Sequence, residues 1–361
     1  MTRDQRPLTG NQKPLTTGFF SLIASFSVLL MLWSTEASAQ AIHLAAAKGN
    51  IKQVTEMLRR YPTLINAKDF DNSTPLQAAA GAGQLAMCKL LLDKGAEIDA
   101  RDLGGLTALH KAARGGHLDV CKLLIDQGAE VNAQDLQGAT PLHKAVDKGH
   151  AAVVTLLISK GAQVNTIALI GGTPLHQAGT VEIAKILLDA GADLTLKEKT
   201  SGDTPLHSDA VLGHKDLCAL LLDHGADVNA RNNVGFTPLH YAAYGGQTDT
   251  AVLLIERGAD LKAMDNQGWT PLHWAVGLDK LDTAAALIDH GADINAQDKL
   301  FNATPLHWAT GLGKKKTVIM LLDKGADPNL RNKEGKTPLK LALEINRPDI
   351  ADLIRAKGGK E

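Results

Sequence analysis

Aromatic residues make up only 4% of these 361 residues, and cysteine occurs three times, at Cys88, Cys121 and Cys218. Three scattered thiols cannot supply the dense disulfide framework of small extracellular folds. Charge of either sign is not in excess: 38 Lys and Arg face 39 Asp and Glu, for a net charge of −1. That balance offers no attraction to nucleic acid or to an anionic membrane. The one long apolar stretch, Phe19–Trp33, is shorter than the about 20 residues of a comfortable membrane span. The familiar catalytic signatures are also missing: no G-x-S-x-G, no H-E-x-x-H, no Walker loop and no dinucleotide fingerprint.

What the chain has is a repeat. Thr-Pro-Leu-His stands at Thr140–His143, Thr173–His176, Thr204–His207, Thr237–His240, Thr270–His273 and Thr304–His307. Variants keep the phase at Thr74–Gln77, Thr107–His110 and Thr337–Lys340. Successive threonines are 33, 33, 33, 31, 33, 33, 34 and 33 residues apart. Such a period specifies a linear array of small units, which presents a long surface rather than a catalytic pocket. A degenerate first unit begins near Gln40, and a tenth runs to Glu361.

Each slot has a physical role. Thr caps a helix, and Pro suits the first helical position, where its missing N–H would be unpaired anyway. Leu and the following alanines point inward, and Ala lets neighbouring helices approach closely. A glycine nine residues after the Thr, such as Gly116 or Gly246, stops a short first helix. A second apolar stretch, such as 153–157, reads as an antiparallel second helix closed by Gly161. The Asp/Asn/Gly-rich link to the next unit has turn chemistry. One unit cannot bury its own apolar face, so stability comes from stacking. At roughly 8–10 Å between packed helices, ten units extend on the order of 90 Å.

The period and the Thr-Pro-Leu-His-x-Ala signature resemble the ankyrin repeat over nearly the whole chain. The expected fold is an all-α repeat solenoid of about ten stacked helix–turn–helix units joined by projecting β-hairpin loops. The fifth unit departs from the pattern. Gly191 follows Thr173 by 18 residues where other units have 21, so the first helix or its turn must be shortened. The tip before it, Ile167–Ile170, is apolar where others carry Asp and Asn. A weak interface is expected here, with local opening between units four and six; the tip is alternatively a second contact site.

Residues 1–39 read as a secretory signal peptide. Arg3, Arg6 and Lys13 precede the apolar stretch, and Ala37-Ser38-Ala39 is a small-x-small cleavage site before Gln40. An uncleaved anchor is the runner-up. The expected product is residues 40–361, exported to a periplasm or secreted, monomeric, and without membrane contact once the leader is gone. Asn72 and Asn302 lie in glycosylation sequons, which carry meaning only in a eukaryotic secretory route.

Histidine is plentiful, and eight of thirteen (His43, His110, His143, His176, His207, His240, His273 and His307) hold one motif slot. Spread one per unit, they are too far apart to share a metal whose ligands lie about 2 Å away. The resemblance implies a structural role for them, hydrogen bonding between adjacent hairpins. His117, His150, His214, His224 and His290 read as exposed turn residues. Each cysteine falls on an inward position of a second helix, with Cys88 and Cys121 roughly 8–10 Å apart. A disulfide needs about 7 Å or less, so all three are expected as buried, unbonded fillers. No catalytic residue, metal or cofactor is expected.

The few aromatics are unevenly placed. Of nine beyond the leader, seven fall in units seven to nine: Phe236, Tyr241, Tyr244, Trp269, Trp274, Phe301 and Trp308. Phe236 and Trp269 precede the motif Thr, Tyr241, Trp274 and Trp308 follow its His, and Phe301 is at a hairpin tip. By the resemblance, these slots line the concave face that grips partners. Trp and Tyr dominate interface hot spots. The expectation is a non-catalytic scaffold binding a protein partner through this cluster. The rival readings are a regulator, inhibitor or assembly factor of an exported enzyme, and a small-molecule binder using the same rings.

Overall fold

The computed structural model describes residues 39–361; the expected leader lies, all but Ala39, outside them. From 39 onward the chain is helical to 47 and then builds helix pairs at the period of the motif. Thr140 shows why each unit starts where it does. Its backbone is extended, with φ −94° and ψ 169°, and its N–H donates to His143 Nδ1 at 3.1 Å. Pro141 then opens a helix over Pro141–Asp147. The same box closes unit three, where Thr107 Oγ1 accepts from His110 N at 3.5 Å. Satisfying the free N–H groups of a helix end in this way stabilises it by about 1 kcal/mol.

Nine residues after the Thr the backbone turns left-handed. Gly116 and Gly246 do so at φ 71° and 75°, while Asp279 (φ 59°) and Asn346 (φ 55°) hold the place in units eight and ten. Asp and Asn are the side-chain-bearing residues that best tolerate this region. The second helix then runs antiparallel to the first, as over Ala151–Ser159. First helices stack on first helices and second on second, giving two layers. Between them each unit buries its motif leucine, from Leu76 to Leu339.

The links are turns. Asp135 N donates to Ala139 O at 2.9 Å, and Asp135 Oδ1 accepts from Gln137 N and Ala139 N. Among the described residues none of these hairpins is long enough to form a strand. Single backbone bonds stitch neighbours together: Leu103 N to Asp71 O (2.9 Å), Leu136 N to Gly104 O (3.0 Å) and Leu169 N to Gln137 O (2.7 Å).

The fifth unit is shortened in its first helix. One 3-10 turn, Pro174–Gln177, stands where the others have an α-helix, and Ala178 leaves it at φ −68°, ψ 104°. Thr180 then caps the second helix, Val181–Asp189, through Ile183 N. The missing residues are thus the last turn of the first helix, and the second layer passes without a gap.

Cys88, Cys121 and Cys218 are buried and unpaired. Burial pushes each thiol up to about 12, so the reactive thiolate is scarce at neutral pH. A thiol reagent at pH 8 should label none of them in the native protein and all three in denaturant. Rapid native labelling of even one would contradict this packing.

Candidate partner-binding surface

The motif histidines form a structural relay. Each Nδ1 from His110 to His307 accepts from the N–H of its own Thr, so Nε2 carries the proton and faces the next unit. There it donates to a hairpin carbonyl: His43 to Ser73 O at 2.8 Å, His110 to Ala139 O at 3.0 Å, His240 to Trp269 O at 3.1 Å and His307 to Lys336 O at 3.1 Å. Gln77 copies the arrangement, its Oε1 accepting from Thr74 N and its Nε2 donating to Leu106 O at 2.6 Å. Burial holds the seven imidazoles from His110 to His307 below their usual range, at about 4 for His110, His143 and His240. These rings are committed to the fold.

His117 and His150 lie in the turns as expected but are half-buried rather than exposed. Their Nε2 atoms reach back to Gly81 O at 3.1 Å and Arg114 O at 3.0 Å, one unit earlier. Gln247 and Arg347 do the same to Val211 O and Gly313 O. The carbonyls left open at the ends of the short first helices find donors in this way. His224 and His290 bond their own helices at Leu220 O and Ala286 O. Among the described residues no three His, Cys, Asp or Glu side chains gather closely enough to hold a metal ion.

The slot after the motif His varies between units, and in units three, four, eight and nine it has a common chemistry. The side chain there donates to the hairpin's turn-forming acid. Lys111 pairs with Asp102 at 2.9 Å and Lys144 with Asp135 at 2.6 Å. In units eight and nine an indole does the same: Trp274 Nε1 donates to Asp265 Oδ2 at 2.9 Å and Trp308 Nε1 to Asp298 Oδ2 at 2.8 Å. Tyr241 O–H donates to Asp203 Oδ2 at 3.0 Å, and burial with the Asp203 charge holds this phenol well above its usual range. The surface changes from ammonium in units three and four to indole in units eight and nine over the same turn-forming carboxylate, while Tyr241 reaches the preceding hairpin's Asp203 because its own hairpin turns on Asn232.

All seven expected aromatics come together as one ladder. Ring centroids lie 5.3 Å apart for Phe236–Tyr241, 5.0 Å for Phe236–Trp274, 4.9 Å for Trp269–Trp274 and 4.6 Å for Trp269–Trp308. Tyr244 joins at Trp274 (5.7 Å) and Phe301 at Trp308 (5.9 Å). Tilted and edge-on rings at these distances add about 0.5–1.5 kcal/mol per pair beyond area burial. Tyr244 and Phe301 are 44% and 49% exposed, and the other five are half-buried. Fixed indoles with one open edge lose little entropy on binding, which favours them as anchors.

A second apolar row extends the tip Ile167–Ile170 back along the three hairpins before it. Phe70, Leu103, Leu136, Leu169 and Ile170 occupy successive hairpin tips and are 48–79% exposed. The first four recur every 33 residues, a signal that was present but spread through polar loops. Between the fourth and fifth tips a groove of about 590 Å³ is lined by Leu136, Ile167, Leu169 and Lys199. Ala168 replaces the turn-forming Asp of this tip, and Gly171 and Gly172, at φ 81° and 66°, make the turn instead.

Comparison with known proteins agrees with this architecture. The family model for ankyrin repeats matches residues 28–102, 99–168, 130–198, 167–232, 230–298 and 295–360. A local similarity, 44% identity over 55 residues, links the chain to a Caenorhabditis elegans homologue of transient receptor potential cation channel subfamily A member 1. That match covers 15% of this chain and 4% of the relative. With helix pairs, capped motifs and family matches coinciding from the first unit to the tenth, the chain belongs to the ankyrin-repeat family.

Proposed function

We propose that this protein is a non-catalytic scaffold that grips a protein partner with the hairpin and first-helix face of units seven to nine. Ankyrin repeats generally mediate protein–protein interaction. The observation carrying the site is the ladder from Phe236 to Trp308, whose rings are held by carboxylates and by one another with edges left open. Units three and four use Lys in the same slot, so the fold alone does not require aromatic residues there. The exposed tips from Phe70 to Ile170 extend the reading to a second contact along units two to five. Export rests on the leader sequence, and regulation of an exported enzyme is one form such binding takes.

The test uses a substitution the protein itself supplies. Trp274→Lys with Trp308→Lys should re-form the Lys144–Asp135 type of pair on Asp265 and Asp298, keeping the fold while removing two anchors. Affinity capture from the native source should retain a partner on the wild type and lose it, by on the order of 100-fold in affinity, on the variant. Equal retention by both folded baits would make the ladder architecture only. A change in tryptophan fluorescence with a small ligand, and no protein captured, would favour the small-molecule reading.

A further inference from the structure

Five residues after the motif Thr lies a slot that is buried in every motif-bearing unit. It is alanine in all eight other motif-bearing units, from Ala79 to Ala342, and aspartate in the sixth, Asp209. The Asp209 side chain is as buried as those alanines, at 4% exposure. The unit beneath it is the one whose first helix stops after a single turn, Pro174–Gln177. A carboxylate in an alanine slot thus adjoins the one place where the neighbouring helix has lost its last turn. Asp209 Oδ1 meets His214 Nδ1 at 3.0 Å, and the His214 side chain is 39% exposed, so water reaches the pair.

The elements packed on the sixth unit's first helix, Pro205–Leu212, are the 3-10 turn before it, the first helix of unit seven (Pro238–Gly245) and its own second helix (Lys215–Asp223). They carry His176; His240, Tyr241 and Tyr244; and Lys215, Asp216, Cys218 and Asp223. The motif rings His176, His207 and His240 are occupied by Thr N–H groups and hairpin carbonyls. Tyr241 is bonded to Asp203, and Cys218 is a buried thiol. Among the described residues, the charge partner of Asp209 is His214.

We propose that the contact between units five and six is a proton-sensitive joint, closed while the buried Asp209 carboxyl holds a proton and loosened when it gives that proton up. An ionised carboxylate buried in an alanine slot without a cation is strongly unfavourable. Burial accordingly pushes the Asp209 carboxyl up to about 6 from 3.8. A raised folded-state value means that the closed joint binds the extra proton. Its contribution is complete below about pH 4 and is lost as pH rises through about 6. The motif histidines have the opposite sign, His176 across this same joint included, so the Asp209 contribution is read as a difference from variants that keep His176. The joint lies between the apolar tips of units two to five and the aromatic ladder of units seven to nine, and so sets the angle between them. That consequence for binding rests on the function proposed above; the joint itself does not.

Hydrogen exchange of the purified protein, without partner, tests it at pH 5.5, 6.5 and 7.5 after correction for intrinsic rates. Relative to Asp209→Ala and Asp209→Asn, wild-type protection over 173–214 should fall on the order of tenfold from the lowest to the highest pH. Asp209→Ala should be the better protected at pH 7.5, and residues 271–323 should respond alike in all three proteins. Asp209→Asn preserves side-chain shape, so the comparison survives if the alanine variant misfolds. Parallel pH responses over 173–214 in wild type and variants would overturn the joint. That failure would leave the partner reading standing, since no partner is present in the experiment.

Discussion

Between pH 6.5 and 4 the array should lose most of its stability, unfolding with uptake of several protons. The cause is the histidine relay. Seven motif histidines from His110 to His307 are held below their ordinary value by burial, three of them at about 4 against 6.5. In each, Nδ1 already accepts a backbone N–H, so protonation there must break the cap as well as bury a charge. The unfolded chain binds these protons more readily than the folded one, so stability rises with pH. The contribution is fully present above about 6.5 and is lost as pH falls toward about 4. A shift from 6.5 to about 4 corresponds to about 3 kcal/mol per residue, comparable in sum to the ~5–15 kcal/mol of a typical domain. Urea midpoints measured from pH 7.5 to 4 should drop steeply and most in the middle of this range. Midpoints unchanged down to pH 4.5 would contradict the relay.

The second large effect is local. His240→Ala should destabilise the protein by about 4 kcal/mol, because Thr237 N–H and Trp269 C=O lose their partners in a buried site and a cavity remains. His240→Gln should cost only about 1 kcal/mol. Gln77 already performs the same double role in unit two, accepting from Thr74 N at 2.7 Å and reaching Leu106 O in the next hairpin. Lys340 holds the slot in unit ten, where its backbone N–H bonds Thr337 Oγ1 and its side chain is 46% exposed, and Lys340→Ala should change little. Denaturant midpoints would separate the three variants. A glutamine variant as unstable as the alanine one would mean that ring packing, not the two hydrogen bonds, carries the effect.

The fold was legible because the motif states it nine times. Helix starts follow from Thr-Pro, helix stops from Gly or its Asp279 and Asn346 substitutes, and the shortened fifth unit from a three-residue shortfall before Gly191. The aromatic site was legible for a different reason: rings are so rare here that seven in three units stand out. Their mutual packing, and the carboxylates beneath Trp274 and Trp308, depend on hairpins nine and ten residues earlier folding back, which residue order does not reveal. His117 and His150 read as turn residues, but the backward bond over 36 residues that half-buries them leaves no local trace. Asp209 looks like any helix-surface acid until its slot is aligned with the alanines of the other units.

The most direct test of the central claim, that units seven to nine form the gripping surface, is a hydrogen-exchange footprint of the captured partner on this protein. Binding should slow exchange over 233–247, 266–280 and 299–312, which carry the ladder, with the second helices Thr248–Glu256 and Leu281–Asp289 unchanged. Protection confined to those second helices, or absent from all three ladder segments, would contradict the account.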